Sequence, residues 1–129
     1  MAVYAALLYY PEDRYWTDPQ EVENVLPGYR VFHDAARAAG VERGAAALHP
    51  VGTATTVTVA EGKGGEVVVT DGPYAEAKEV LGGLVLIEVE DLDEAIRWAA
   101  RIPTAWRGKV ELRPVVPVGP HGSGLGAGT

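Results

Sequence analysis

Residues 2–10, Ala-Val-Tyr-Ala-Ala-Leu-Leu-Tyr-Tyr, contain no charged or amide side chain, and Pro11 closes the run. Nine residues are few for a core helix, and three tyrosines among them favour a strand. Side chains alternate across a strand, so a run that is apolar throughout has two faces to cover. Residues 84–89, Leu-Val-Leu-Ile-Glu-Val, repeat the pattern with Glu88 as the one polar interruption. The fold must therefore hold two strands that both expect cover on each side.

Between these strands, Thr17-Asp18-Pro19 opens a helix: Thr17 or Asp18 can cap it, and Pro19 fits the first turn, where no amide is needed. Val22, Val25, Leu26, Tyr29, Phe32, Ala36 and Ala39 recur at three- and four-residue spacing up to Gly40. Pro27-Gly28 predicts a kink or a break into two helices. Residues 53–60 and 67–70 are rich in Thr and Val and flank Gly62, Gly64 and Gly65, which predicts a hairpin with a glycine turn. That turn lacks the Lys-Ser/Thr pair and following helix of a phosphate loop. Gly82-Gly83 opens the strand at 84–89. Asp91-Leu92-Asp93-Glu94 then caps a helix that buries Leu92, Ala95, Ile96, Ala99 and Ile102 until Pro103. Residues 109–115 alternate and carry Pro114, as an edge strand does.

The order reads β-α-β-β-β-α-β or, with the hairpin as an insertion, the β-α-β-β-α-β of an α+β, ferredoxin-like fold. Two helices cover one face of such a sheet. The second apolar face predicts a homodimer packed sheet to sheet, a dimeric α/β barrel. At 129 residues the chain suits one domain, here 1–116, followed by a flexible Gly-rich tail at 117–129.

Composition narrows the chemistry. With a net charge of -7, the chain lacks the basic excess that nucleic acid requires. No apolar run reaches membrane-spanning length, and the N-terminus has no basic leader, so a cytoplasmic protein without membrane or nucleic-acid partners is expected. There is no cysteine, and the single serine, Ser123, lies in the tail, which removes thiol and serine nucleophiles. His33, His49 and His121 have no short ligand spacing, so no metal is expected, nor any other cofactor.

Several residues could carry chemistry. His33 flanks the stripe of the first helix one turn after Tyr29, and imidazole titrates near neutrality in general, which suits proton transfer. The bland alternative is a surface histidine beside Asp34. Glu88 would need a partner such as Arg113 if buried; Arg113 shares a strand face with Glu111, and an edge-protecting charge row accounts for both. Asp71 can accept backbone amides in a turn, or that turn can hold Tyr74 and Lys78 at a pocket mouth for an anionic ligand. Tyr9 and Tyr10 point to opposite faces, so at most one lines a given cavity; with Tyr15 and Trp16 they form an aromatic entry suited to a planar ligand, or simply pack.

Thr53-Ala54-Thr55-Thr56-Val57, residues 69–79 around Asp71-Gly72-Pro73-Tyr74-Ala75-Glu76-Ala77-Lys78-Glu79, Leu81-Gly82-Gly83, Asp91-Leu92-Asp93-Glu94-Ala95 and Val110-Glu111-Leu112-Arg113-Pro114 together resemble the DGPF-type branch of the YCII-related superfamily. The resemblance spans about Tyr4 to Val115 and implies a dimeric α+β barrel. It implies a small-molecule-binding protein or a cofactor-independent enzyme of proton transfer, such as isomerisation, dehydration or cyclisation. It equally leaves open a non-catalytic regulatory or interaction protein, since members are often encoded beside extracytoplasmic-function sigma factors. The superfamily's proposed pair is a His on the first helix and an Asp near the end of the second. Here Tyr29 stands at the first position and Ile102-Pro103 at the Asp-Pro position, so any chemistry falls to Tyr74, His33, Glu88 or Arg113, with Tyr29, Asp71, Lys78, Tyr9 and Trp16 as ligand contacts. Tyr74 replaces the branch's usual Phe, Ala77 its Thr, and Leu84-Val85 an aromatic.

Overall fold

The computed structural model describes residues 1–14 and 19–117. Strand β1 (Ala2–Pro11) leads through a short 3-10 turn to helix α1 (Pro19–Ala38) and strand β2 (Glu42–Ala47). Strands β3 (Thr55–Val59) and β4 (Val67–Asp71) form a ribbon before β5 (Glu79–Val89). Helices α2 (Leu92–Ala99) and α3 (Thr104–Arg107) precede the last strand, β6 (Lys109–Pro114). The main sheet has the order β2-β5-β1-β6 and is antiparallel throughout, while β3 and β4 pair only with each other. With the ribbon set aside, this is the α+β arrangement compatible with a ferredoxin-like fold.

The predicted Thr17 or Asp18 cap, Trp16 and the tail from 118 onward lie outside the described residues. Helix α1 does begin at Pro19, and it runs through Pro27 as one element instead of breaking. Pro27 is exposed, so water can replace the helical bond that the missing amide forfeits. Helix α2 is shorter than expected. Asp91 caps it by accepting the Glu94 amide at 2.9 Å, and Glu94 accepts the amide of Glu90 at 3.3 Å, one residue before the usual capping-box position. The chain turns after Ala99, so Ile102 is buried from the turn rather than from the helix, and Leu92 and Ile96 are exposed.

Strand β2 has no counterpart in the predicted order. Its Glu-Arg-Gly-Ala-Ala-Ala sequence has no β-branched residue, and it is a strand because β5 offers it a ladder. The approach is close: a Cβ on Gly83 would lie 2.7 Å from the carbonyl oxygen of Ala46. Gly82 and Gly83 therefore sit inside β5 rather than opening it.

Tyr4, Ala6, Leu8 and Tyr10 of β1 and Val85, Ile87 and Val89 of β5 face the helices and pack with Phe32, Ala36, Ala95 and Ile102. Their neighbours Ala5, Leu7, Tyr9, Leu84, Leu86 and Glu88 occupy the second face and are half-buried. The expected double burial is thus met on one face by this chain alone. On the second face, Leu7 lies between Leu84 and Glu111, and Ala5 between Leu86 and Arg113, giving an apolar centre with a charged edge.

The ribbon aligns Val57 with Val69 and Val59 with Val67, and these four valines are 40–61% exposed. Its turn holds Glu61, Gly62 and Gly64 at positive φ, a conformational reason for glycine there.

Candidate functional site

Helix α1 approaches the corner before α3 at Gly28, where an added Cβ would lie 3.0 Å from Cγ of Pro103. That approach sets the next residue, Tyr29, against Thr104. Oγ1 of Thr104 lies 2.6 Å from the Tyr29 hydroxyl and 2.7 Å from that of Tyr10, and the two tyrosine hydroxyls bond each other. Thr104 is fully buried behind them. Each of the three hydroxyls has one proton to donate, so the cluster can close on itself as a ring.

One helical turn after Tyr29, Nδ1 of His33 bonds the Glu42 carboxylate, whose other oxygen accepts Nε of Arg37 at 2.9 Å. The Glu42 side chain is 6% exposed, so it requires these partners. A carboxylate on Nδ1 favours a proton there and leaves Nε2 bare, the orientation a general base needs. His33 carries this group on the wall of a cavity of about 300 Å3 between α1, β2 and β5, which Tyr10 and Tyr29 also line. The remaining walls are Leu8, Leu26, Arg37, Leu84, Val85 and backbone-rich stretches of Ala45 to Ala47 and Gly82-Gly83.

Burial pushes the Tyr29 hydroxyl well above the ordinary tyrosine value, against a smaller lowering by Thr104. Its neutral form is thus favoured by folding. That contribution is complete below about pH 10, the unfolded value, and is lost as pH rises towards the folded value. The urea midpoint should therefore stay level between about pH 7 and 9 and fall beyond about 10, with a smaller fall in Tyr29→Phe. An equal alkaline fall in the variant would contradict this role.

Of the predicted residues, His33 and Tyr29 meet in this cavity. Asp71 and Lys78 line a different, wider cleft of about 740 Å3 at the signature loop, with Glu12 and Glu76. The loop is held by its backbone: Gly72 donates to the Ala54 carbonyl at 2.8 Å, and Thr56 Oγ1 donates to the Gly72 carbonyl at 2.9 Å. Gly72 has φ 98°, which glycine alone adopts freely. Tyr74 is 90% exposed and lines neither cleft.

Glu88 pairs with Arg43 at 2.6 Å, not with Arg113. The register explains it: β2 adjoins β5 directly, whereas β6 lies beyond β1, where Arg113 faces Ala5 and bonds Glu111 at 3.0 Å. Tyr9 is on the second sheet face, and it is Tyr10 that reaches the cavity.

Tyr10, Glu42 and Thr104 are the site residues that sequence reasoning did not select. Strand alternation set Tyr10 apart from Tyr9 without choosing between them; nothing local signalled Glu42 or Thr104. Among the described residues there is no cluster of metal-ligating side chains and no helix long and apolar enough to cross a membrane.

The profile of the YCII-related domain matches residues 2–119. The chain belongs to the YCII-related family. Over 53 residues it is 45% identical to "Uncharacterized protein R00369" of Rhizobium meliloti (strain 1021), a match covering 40% of this chain and 43% of that relative. Within this YCII-related chain, Tyr29 of α1 meets Thr104, the residue after Ile102-Pro103, at 2.6 Å.

Proposed function

We propose that this YCII-related protein, of the DGPF type by its Asp71-Gly72-Pro73 signature, binds a small and largely apolar molecule between α1, β2 and β5 and catalyses proton transfer on it. His33 is the base, Glu42 positions it, and no cofactor takes part. The observation that carries this reading is the carboxylate-oriented imidazole on the wall of a cavity whose other polar side chains are Tyr10, Tyr29 and Arg37. The protein works as a sheet-to-sheet homodimer, a reading supported by the half-buried apolar centre of the second face. The five exposed valines of the ribbon, Val57, Val59, Val67, Val68 and Val69, favour a protein contact as well and support a purely regulatory role.

A screen of neutral ring fragments against the full chain, followed by amide chemical shifts, tests the ligand site. Tyr29, His33 and Val85 are expected to respond together. A response confined to Asp71 and Lys78 would move the site to the signature-loop cleft.

A further inference from the structure

Resting on the cleft reading above, we infer that the ligand is a neutral, enolisable ketone with an apolar body, whose oxygen binds the Tyr10–Tyr29–Thr104 hydroxyl cluster while His33 takes the proton from the adjacent carbon. Three features on the cavity wall point to this class.

Charge comes first. Among the described residues Arg37 is the one Lys or Arg lining the cavity, and it is engaged by Glu42. A ligand carboxylate would leave water for a wall whose arginine is already paired with a carboxylate, so a neutral ligand is favoured.

The hydroxyl cluster supplies the second feature. Closed as a ring, it makes three internal hydrogen bonds. Opened so that Tyr29 donates to a ligand carbonyl, it makes two internal bonds and one to the ligand, so the count is unchanged. The chain of donors behind Tyr29 also polarises the bond it gives. An enol oxygen on the ligand can instead donate to a tyrosine oxygen, so the same cluster receives both tautomers. Tyr29 and Tyr10 line the cavity while Thr104 is sealed behind them, which fixes the side from which a ligand arrives.

The third is the base. His33 sits one helical turn from Tyr29 on the same wall. In the step, Nε2 of His33 takes the proton on the carbon beside the carbonyl. The C–H electron pair becomes a carbon–carbon double bond, and the carbonyl π pair moves onto oxygen, where the Tyr29 hydrogen bond holds the growing charge. Return of the proton from His33 to the same carbon restores the ketone; return to the γ carbon of a β,γ-unsaturated ketone moves its double bond into conjugation with the carbonyl. No oxidant, reductant or second substrate enters.

The test uses 2-indanone as the ketone and indane-2-carboxylate as an anion of similar shape, with the full chain in D2O and NMR as the readout. Wild type should accelerate deuterium uptake beside the ketone carbonyl above the buffer rate and bind the ketone in preference to the carboxylate. Tyr29→Phe should lose about a hundredfold of that acceleration. Should Tyr29→Phe fail to fold, Thr104→Val against Thr104→Ser decides, since only the serine keeps the cluster's hydroxyl. Wild-type exchange in the variants that lack the hydroxyl would overturn the inference. Preferential binding of the carboxylate, with shifts at His33, would overturn the ketone class and leave the cleft reading standing. No response at His33 to either compound, and no accelerated exchange, would overturn both.

Discussion

Replacing Phe32 by alanine is expected to lower stability by about 3–5 kcal/mol, the range for deleting an aromatic side chain from a packed core. Phe32 is 1% exposed and lies where α1 meets the sheet. It meets Trp98 edge to face, with ring centroids 6.2 Å apart, and the His33 ring at 5.2 Å. The void left by alanine would therefore adjoin the residue that carries the proposed base. Urea unfolding should show a lower midpoint with an unchanged slope, and any ketone-dependent exchange should weaken with it. Phe32→Leu keeps most of the volume and should cost less. A loss below about 1 kcal/mol for the alanine variant would mean that α1 is not anchored through this side chain.

The second large effect concerns assembly. Leu86 belongs to the second face of β5, beside Ala5, and it is half-buried in the single chain. Leu86→Asp should leave the monomer folded, because the carboxylate can still reach water there. In a sheet-to-sheet dimer the same carboxylate is buried and unpaired, at about 3–5 kcal/mol each and twice over by symmetry. The dissociation constant should then rise by more than about 10^4-fold. Sedimentation at micromolar concentration should give a dimer for the wild type and a monomer for Leu86→Asp, with matching circular dichroism. A monomeric wild type, or a variant that still dimerises, would refute the sheet-to-sheet arrangement.

What was legible in the sequence followed from periodicity. β1 and β5 declared themselves through unbroken apolar runs, and α1 through its three- and four-residue stripe. The ribbon was announced by Thr and Val around glycines, and β6 by alternation. β2 was invisible because its strand character comes from docking against β5 at Gly83, a contact between distant parts of the chain. Leu26 and Ala39 belong to the predicted stripe yet are exposed: Leu26 lies at the edge of the covered face, and Ala39 follows the last residue of α1.

The site divides in the same way. His33 and Tyr29 share a helix face, so spacing brought them together before any fold was known. Glu42 joins them across the turn at Gly40-Val41, and Thr104 arrives from a corner formed by Ile102-Pro103, neither of which leaves a local signal. Alternation separated Tyr9 from Tyr10 but could not tell which of them faced the helices. The Asp71 signature was conspicuous as sequence, and its visible work is to hold the loop to the ribbon through Gly72.

The most direct measurement is a crystal structure of the full chain soaked with the neutral fragment that binds best in the amide-shift screen. The fragment is expected between α1, β2 and β5, its oxygen on the Tyr29 hydroxyl and its ring carbons beside Nε2 of His33. A fragment seated instead against Asp71, Glu76 and Lys78, with the α1 cleft empty, would contradict this placement.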